Sequence, residues 1–342
     1  PWRYLARPIP WKLSMEGRPS RAPGNVANQG YPGKSAAEEQ GWLKAHKWLL
    51  LRRLSQLGIL GLFLLGPLAD VWIVKGNLSA SMTLGVLPLT DPLLLLQSML
   101  SGAWPTTSGL IGALIVLIFY ALVGGRVFCS WVCPVNPITD LSAWLRRRFN
   151  IRTGSRLSRG LRYWVLGMVL ALPAITGIMA WEVINPVSLA HRGLFFGIGW
   201  AWTVLVAMFL FDLLMAPNGW CGHLCPVGAC YGLMGVKAQV RVVAAQRQRC
   251  DDCMDCFNIC PEPQVIKPAL KGAKQGIGPL ILDINCTNCG RCIDVCSKDV
   301  FRFGIRSGMP SPTAGSWAIQ DRGRGPGSPV AKTQPIQSSQ PN

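Results

Sequence analysis

Four membrane-crossing helices followed by a small cysteine-rich α+β domain is the fold class that this 342-residue sequence predicts, and three observations predict it. Half of the residues are hydrophobic and only 15% are charged, which is too apolar for an ordinary soluble carrier. Lysine and arginine rise and fall in density along the chain. Eight of the thirteen cysteines stand in two matched runs toward the C-terminus.

The elements follow in order. Residues 1–40 are rich in Gly, Pro, Ser and Gln, with too few large apolar groups to offset the entropy of ordering, and read as a disordered extension. The chain opens on Pro1, with Met15 as another candidate start, and no signal peptide is expected. The first membrane helix, preceded by Lys44, Lys47, Arg52 and Arg53, would serve as an uncleaved anchor. The membrane domain spans residues 41–240, with helices over about 54–74, 110–127, 163–181 and 194–215. About 20 residues at 1.5 Å rise cross a hydrocarbon layer of about 30 Å. The apolar run Pro92–Leu100 is too short to span and reads as an interfacial or re-entrant segment in the first loop.

Charge sets the orientation. Lys and Arg number ten before residue 54, one in the first loop (Lys75), eight from Arg126 to Arg162, one in the third loop (Arg192) and fourteen after Met215. By the positive-inside rule this is a multi-pass protein of the bacterial inner membrane, with both termini and the Arg146-Arg147-Arg148 loop cytoplasmic. The net charge of +18 is therefore topological, and a nucleic-acid partner is not expected. Several of the fourteen Trp, among them Trp48, Trp72, Trp131, Trp144, Trp181 and Trp220, stand near helix ends as an aromatic belt would.

The C-terminal domain, residues 241–304, carries Cys250, Cys253, Cys256 and Cys260, then Cys286, Cys289, Cys292 and Cys296. Each run is C-x2-C-x2-C-x3-C, the spacing of a bacterial two-cluster ferredoxin. Three thiolates wrap one face of a cubane and the fourth reaches the other cluster. The expected ligand sets are therefore crossed: Cys250, Cys253, Cys256 and Cys296 for one [4Fe–4S] cluster, and Cys286, Cys289, Cys292 and Cys260 for the second. Zinc sites use two pairs of ligands and have no need of two quartets, and a cytoplasmic location argues against disulfides. Pro261 follows Cys260 as the signature expects, whereas Ser297 replaces the second proline. Residues 305–342 read as a disordered tail.

Two further motifs, Cys129-Ser-Trp-Val-Cys133-Pro134 and Cys221-Gly-His-Leu-Cys225-Pro226, each lie past an even-numbered helix. The proline makes helix continuation unfavourable, so each pair should close a helix end at the cytoplasmic surface. Duplication favours a functional role over packing: a four-thiolate site, a redox-active pair or a docking surface. Cys230 reads as packing. His223, inside the second motif, is a candidate ligand or proton relay. Glu182 and His191, with Asn185 and Pro186 in the loop joining the third and fourth helices, are the candidates for a quinol headgroup. Asp70 and Asp212 read as hydrogen-bonded helix ends. No C-x-x-C-H, G-x-G-x-x-G or Walker motif is present, which argues against covalent haem, flavin, nicotinamide or ATP.

Taken together, the motif Cys129 to Asp140 (CSWVCPVNPITD), Trp220 to Gly228 (WCGHLCPVG), Pro88 to Pro92, Trp181 to Ser188 and the two-cluster domain resemble the NapH family. These are the membrane ferredoxin-type subunits of periplasmic nitrate reductase systems, and the likeness runs from about Gly41 to Phe303. Longer relatives share the modules but add a periplasmic flavin-binding or an immunoglobulin-like domain, neither of which fits here. The resemblance implies an electron-transfer subunit of a quinol dehydrogenase complex. It would take electrons from quinol toward a NapG-type iron–sulfur protein and NapC- or NapB-type cytochromes, with membrane lipid around it. An assembly or maturation factor for a respiratory metalloenzyme, and an anchor recruiting soluble redox subunits, are the rival readings.

Overall fold

The computed structural model describes residues 31–308 apart from 152, 153, 156 and 198. The expected disordered tail and most of the N-terminal extension lie outside the described residues. Residues 31–40 do not match that expectation, because Lys34–Gln40 form a helix, α1, against the C-terminal domain. Gly33 N–H donates to Asp255 Oδ2 at 2.9 Å, and Gln40 Nε2 donates to the carbonyls of Cys296 and Ser297 at 3.1 and 2.9 Å. Composition missed it because the partners that hold it are some 220 to 260 residues away in sequence.

The first long apolar helix, α2, runs Lys47–Ala69, earlier than the expected 54–74. Its basic start is helical rather than flanking. Trp48 and Leu49 donate their first-turn N–H groups to Asp294 of the C-terminal domain at 3.1 and 2.9 Å, satisfying orphan donors at the positive end of the helix. Its stop is set by Pro67 in the last turn and by Asp70 in the left-handed region, φ +56°.

Strands β1 (Val74–Gly76), β2 (Ala80–Thr83) and β3 (Leu87–Thr90) form an antiparallel meander with Lys75 opposite Met82 and Met82 opposite Pro88. Helix α3 (Pro92–Leu100) is capped by the Asp91 carboxylate, which accepts from Leu93 N–H, with Pro92 at the first helical position. Next come α4 (Thr107–Val123), α5 (Val127–Trp131) and α6 (Val135–Arg148). Helix α7 (Leu161–Thr176) stops at Gly177 with φ +70°, so the expected 163–181 span is shorter and a separate turn, α8 (Ala180–Ile184), follows. The expected 194–215 helix is also divided. Helix α9 (Pro186–Phe196) ends at Gly197, φ +83°, and α10 (Trp200–Leu210) begins after it and closes in a π-turn over Phe211–Met215.

Among the described residues one helix, α2, is long and apolar enough by itself to cross a membrane, and Thr107–Val123, Leu161–Thr176 and Trp200–Met215 are shorter apolar helices. Their exposed apolar side chains recur at helical spacing. Leu110, Leu114, Ile118 and Leu122 line α4, Trp164, Met168, Leu172 and Ile175 line α7, and Trp202, Val206, Leu210 and Leu214 line α10 and its π-turn. One turn apart, such residues form a continuous stripe. The opposite faces meet in a core of Leu93, Tyr120, Phe128, Val135, Leu166, Leu205, Met208 and Tyr231. Tyr231 lies on α11 (Pro226–Met234), whose end crosses the end of α4 so closely that a Cβ on Gly125 would stand 1.8 Å from the Tyr231 carbonyl.

The C-terminal domain pairs β4 (Val240–Val243) with β5 (Arg302–Ile305) antiparallel, Val242 opposite Phe303. Three short helices, α12 (Asp255–Ile259), α13 (Ile266–Lys271) and α14 (Arg291–Asp294), pack with this ribbon around Val242, Ile266, Leu270, Ile281, Val300 and Phe301.

Candidate functional site

Two cavities lie in the C-terminal domain. Cys260, Cys286, Cys289 and Cys292 line one, together with Thr287 and Arg291. Cys250, Cys253, Cys256 and Cys296 line the other, among Phe257, Leu270, Val300 and Phe301. In each, three cysteines come from one run and the fourth from the other. Burial and the neighbouring thiols push Cys256 up to about 12 and Cys292 well above the ordinary thiol value. Two matched quartets, each completed by a cysteine of the other run, suit a pair of cubane clusters better than zinc.

The first cavity sits directly on the helical bundle. Ser130 Oγ, inside the first C-x3-C-P motif, donates to the Thr287 carbonyl at 2.7 Å, and Trp131 Nε1 donates to the Asn288 carbonyl at 3.1 Å. Thr287 and Asn288 are the two residues between Cys286 and Cys289. From the other side, Ser55 and Gln56 of α2 donate to the carbonyls of Trp131 and Ser130, both at 2.9 Å.

Two buried charge knots fasten the same interface. Glu262 accepts from Arg126 at 2.9 Å and from Arg162 at 3.1 Å, with Arg159 at 3.4 Å. Burial alone would raise its carboxyl, yet Arg126 and Arg162 hold it below the ordinary glutamate value. Asp140, on α6, binds Arg53 and Arg291, with Arg52 at 3.7 Å, and the three guanidiniums likewise overcome burial and keep it ionised. Each knot has three arginines and one carboxylate. Sequence reasoning missed these residues: a lone Glu after Cys260-Pro261 carries no local sign of partners 100 and 136 residues away.

The two C-x3-C-P motifs share one backbone path. Cys133 N–H bonds to the Phe128 carbonyl at 3.0 Å and Cys225 N–H to the Trp220 carbonyl at 2.9 Å, each five residues back. The proline then opens a new helix instead of only ending one. Pro134 precedes α6, and Cys225 caps α11 with its sulfur accepting from Gly228 N–H at 3.4 Å. Burial lowers the pKa of His223, and its Nδ1 is buried with no hydrogen-bond partner among the described residues. Cys230 is half-buried against the bundle core.

The connecting segments fold back between the helices. Ser79 and Ser188 hydroxyls meet at 3.2 Å, Ser188 bonds Glu182, and Asn185 Nδ2 reaches Glu182 Oε2 at 3.3 Å. Tyr231 Oη donates to Asp91 Oδ1 at 3.3 Å, and burial raises the Asp91 carboxyl to about 6. His191 is buried, stacked on Phe195 at 4.2 Å and edge-on to Phe63 at 5.1 Å, with Nε2 unpartnered. Trp181 stacks on Trp220, ring centroids 6.4 Å apart, which joins the Glu182 side to the second motif. Asp91 and Tyr231 were missed by sequence reasoning, since an N-cap aspartate and a core tyrosine look structural until they touch. Asp212 is buried and accepts from Trp220 N–H, while Asp70 accepts from the indole of Trp72.

Quartets of thiols around two cavities in a ferredoxin-type domain define an iron–sulfur electron-transfer protein. A 4Fe-4S dicluster domain model matches residues 249–300, and a 4Fe-4S binding domain model matches twice, at 105–152 and 194–242. The ferredoxin-type protein NapH of Escherichia coli is 50% identical over 80% of this chain and 95% of its own length, and that of Haemophilus influenzae is 48% identical over 81% and 96%. The methylamine utilization ferredoxin-type protein MauN of Methylorubrum extorquens is 52% identical over 80% and 94%. No solved structure matches. The chain belongs to the NapH family of ferredoxin-type proteins, and it is about as similar to MauN.

Proposed function

We propose that this chain is the membrane component of a quinol dehydrogenase, passing electrons from the quinol pool through iron–sulfur clusters toward periplasmic nitrate reductase. The observation that carries the reading is the seat of the cluster loop on the bundle. Ser130 and Trp131 of a bundle motif hold the carbonyls between Cys286 and Cys289. A cluster so fixed exchanges electrons with whatever the bundle binds.

In this reading Cys250, Cys253, Cys256 and Cys296 hold one [4Fe–4S] cluster, and Cys260, Cys286, Cys289 and Cys292 the second. The clusters supply one-electron steps, and the chain's own residues position and insulate them. Four crossings with cytoplasmic termini agree with the apolar stripes and with the alternation of Lys and Arg. The shorter helices suit a thin or locally compressed bilayer.

A quinol gives up two electrons and two protons. Asp91, with its raised pKa and its hydrogen bond to Tyr231, is suited to accept one of those protons, and Glu182 and His191 stand in the same folded-back layer. The Trp181–Trp220 stack offers a polarisable path from that layer to the second motif. A NapG-type iron–sulfur protein and NapC- or NapB-type cytochromes are the acceptors that family membership suggests. The similarity to MauN favours a second reading, the same module serving another respiratory or maturation system. Anaerobic titration of the purified protein with ubiquinol and menaquinol, followed by EPR, tests the proposal. Cluster reduction by quinol supports it, and clusters that only a cytoplasmic donor reduces refute it.

A further inference from the structure

The two C-x3-C-P motifs are brought together by the fold. Arg126 spans them: it lies three residues before Cys129, and its Nη2 donates to the Cys221 carbonyl at 3.1 Å. Cys133 is buried in the bundle core, and Cys129 and Cys225 pack against that same core. Both motifs make the same turn, with a bond from the second cysteine to the carbonyl five residues back. At Cys225 the Gly228 N–H, at the start of the next helix, donates to that sulfur at 3.4 Å. Cys296 in the ferredoxin domain receives Val300 N–H in the same manner, at 3.4 Å.

We propose that Cys129, Cys133, Cys221 and Cys225 jointly hold a third [4Fe–4S] cluster, between the bundle and the ferredoxin domain.

Ligand number argues for one shared cluster. A cubane takes four cysteines, and each of the two matched 4Fe-4S binding segments, 105–152 and 194–242, contributes a single C-x3-C-P pair. Charge argues for an anionic occupant. A [4Fe–4S] core of charge 2+ with four thiolates carries two negative charges in its oxidised form. Beside these cysteines the buried Arg126 and Arg162 share the single carboxylate of Glu262, and Arg126 Nε and Arg162 Nη2 are buried donors without a partner among the described residues. Beside Cys289 and Cys260 in the ferredoxin domain, Arg291 likewise shares a single carboxylate, Asp140, with Arg52 and Arg53.

The inference stands whether or not quinol is the electron donor, and its test reads metal content. The full chain, purified anaerobically in detergent, should carry about twelve iron and twelve sulfide per molecule, and C129S/C133S/C221S/C225S about eight of each. The EPR spin integral of the dithionite-reduced protein should fall by about a third. Native mass spectrometry of the unaltered chain supplies the same count without any variant. Two cubane masses instead of three, or stoichiometric zinc or copper that the quadruple variant loses, would overturn the proposal. Cys230→Ala is the control and should leave the count unchanged.

Discussion

The ferredoxin domain and the helical bundle both gather cysteines, but they do so by opposite means. In the C-terminal domain the spacing within each run fixes three of every four thiols, and one crossing residue completes the set. In the bundle each motif supplies only two, and the motifs meet because α4, α5, the turn Trp220–Leu224 and α11 pack together. Local encoding makes a site robust to distant change. Assembled encoding makes it dependent on the helix contacts and charge knots that close the interface.

Crossed ligation comes first. Cys260→Ser should remove the cluster of Cys286, Cys289 and Cys292, and Cys296→Ser the cluster of Cys250, Cys253 and Cys256, each with a loss of about four iron atoms. Spectroscopy that found each loss confined to the run bearing the substitution would break the crossed arrangement.

Glu262→Gln is next, and it strikes the bundle. Removing the charge leaves Arg126 and Arg162 buried without their counter-ion, a change that costs about 3–5 kcal/mol in comparable buried pairs. The expected outcome is a lower melting temperature in detergent and proteolytic release of the C-terminal domain, whose own clusters survive. The pH dependence has a definite sign. Glu262 is held below its unfolded value of 4.5, so its contribution is complete above that value and is lost as pH falls through the lower folded pKa. A protein whose domain docking is indifferent to acid, or to E262Q, would show that hydrophobic packing alone closes the interface.

Asp91→Asn separates chemistry from stability. Its folded pKa of about 6 lies above the unfolded 3.8, so the native state binds the extra proton between these values and loses stability as pH rises through them. Asparagine caps helices as well as aspartate does. The variant should therefore melt no lower than the parent at pH 7 and be more stable by about 1–3 kcal/mol. Quinol oxidation in the parent should rise with pH through about 6, and that rise should vanish in the variant. An unchanged pH profile of kcat in Asp91→Asn would remove this carboxylate from the proton path.

How much of this was legible in the sequence follows the same division. The quartets could be read because C-x2-C-x2-C-x3-C is a statement about neighbouring residues, and the two cavities are lined by the sets that the spacing assigns. Helix ends were read less well. Arg52 and Arg53 looked like a basic flank, but Arg52 is 1% exposed and faces Asp140, so α2 begins earlier. Gly177 and Gly197, both at positive φ, cut apolar stretches that hydropathy joins. The knots of Glu262 and Asp140 were invisible because burial of a charge depends on partners that only the fold supplies. The same holds for Asp91 and Tyr231, 140 residues apart.

Gln40→Ala should produce the smallest effect, and it bears on whether local encoding really insulates the ferredoxin quartets. Gln40 reaches from α1 to the carbonyls of Cys296 and Ser297, the turn where serine stands in place of proline. A proline there would have fixed the backbone by its ring; here an amide from some 256 residues away restrains it instead. Losing two part-buried hydrogen bonds should cost about 1–2 kcal/mol. If the quartet is held by its own spacing, Q40A should keep its full iron content while protease cuts between α1 and α2 sooner than in the parent. A loss of the cluster that Cys296 completes would mean instead that α1 is part of that site, and the contrast between local and assembled encoding would then fail on the side where it looks strongest.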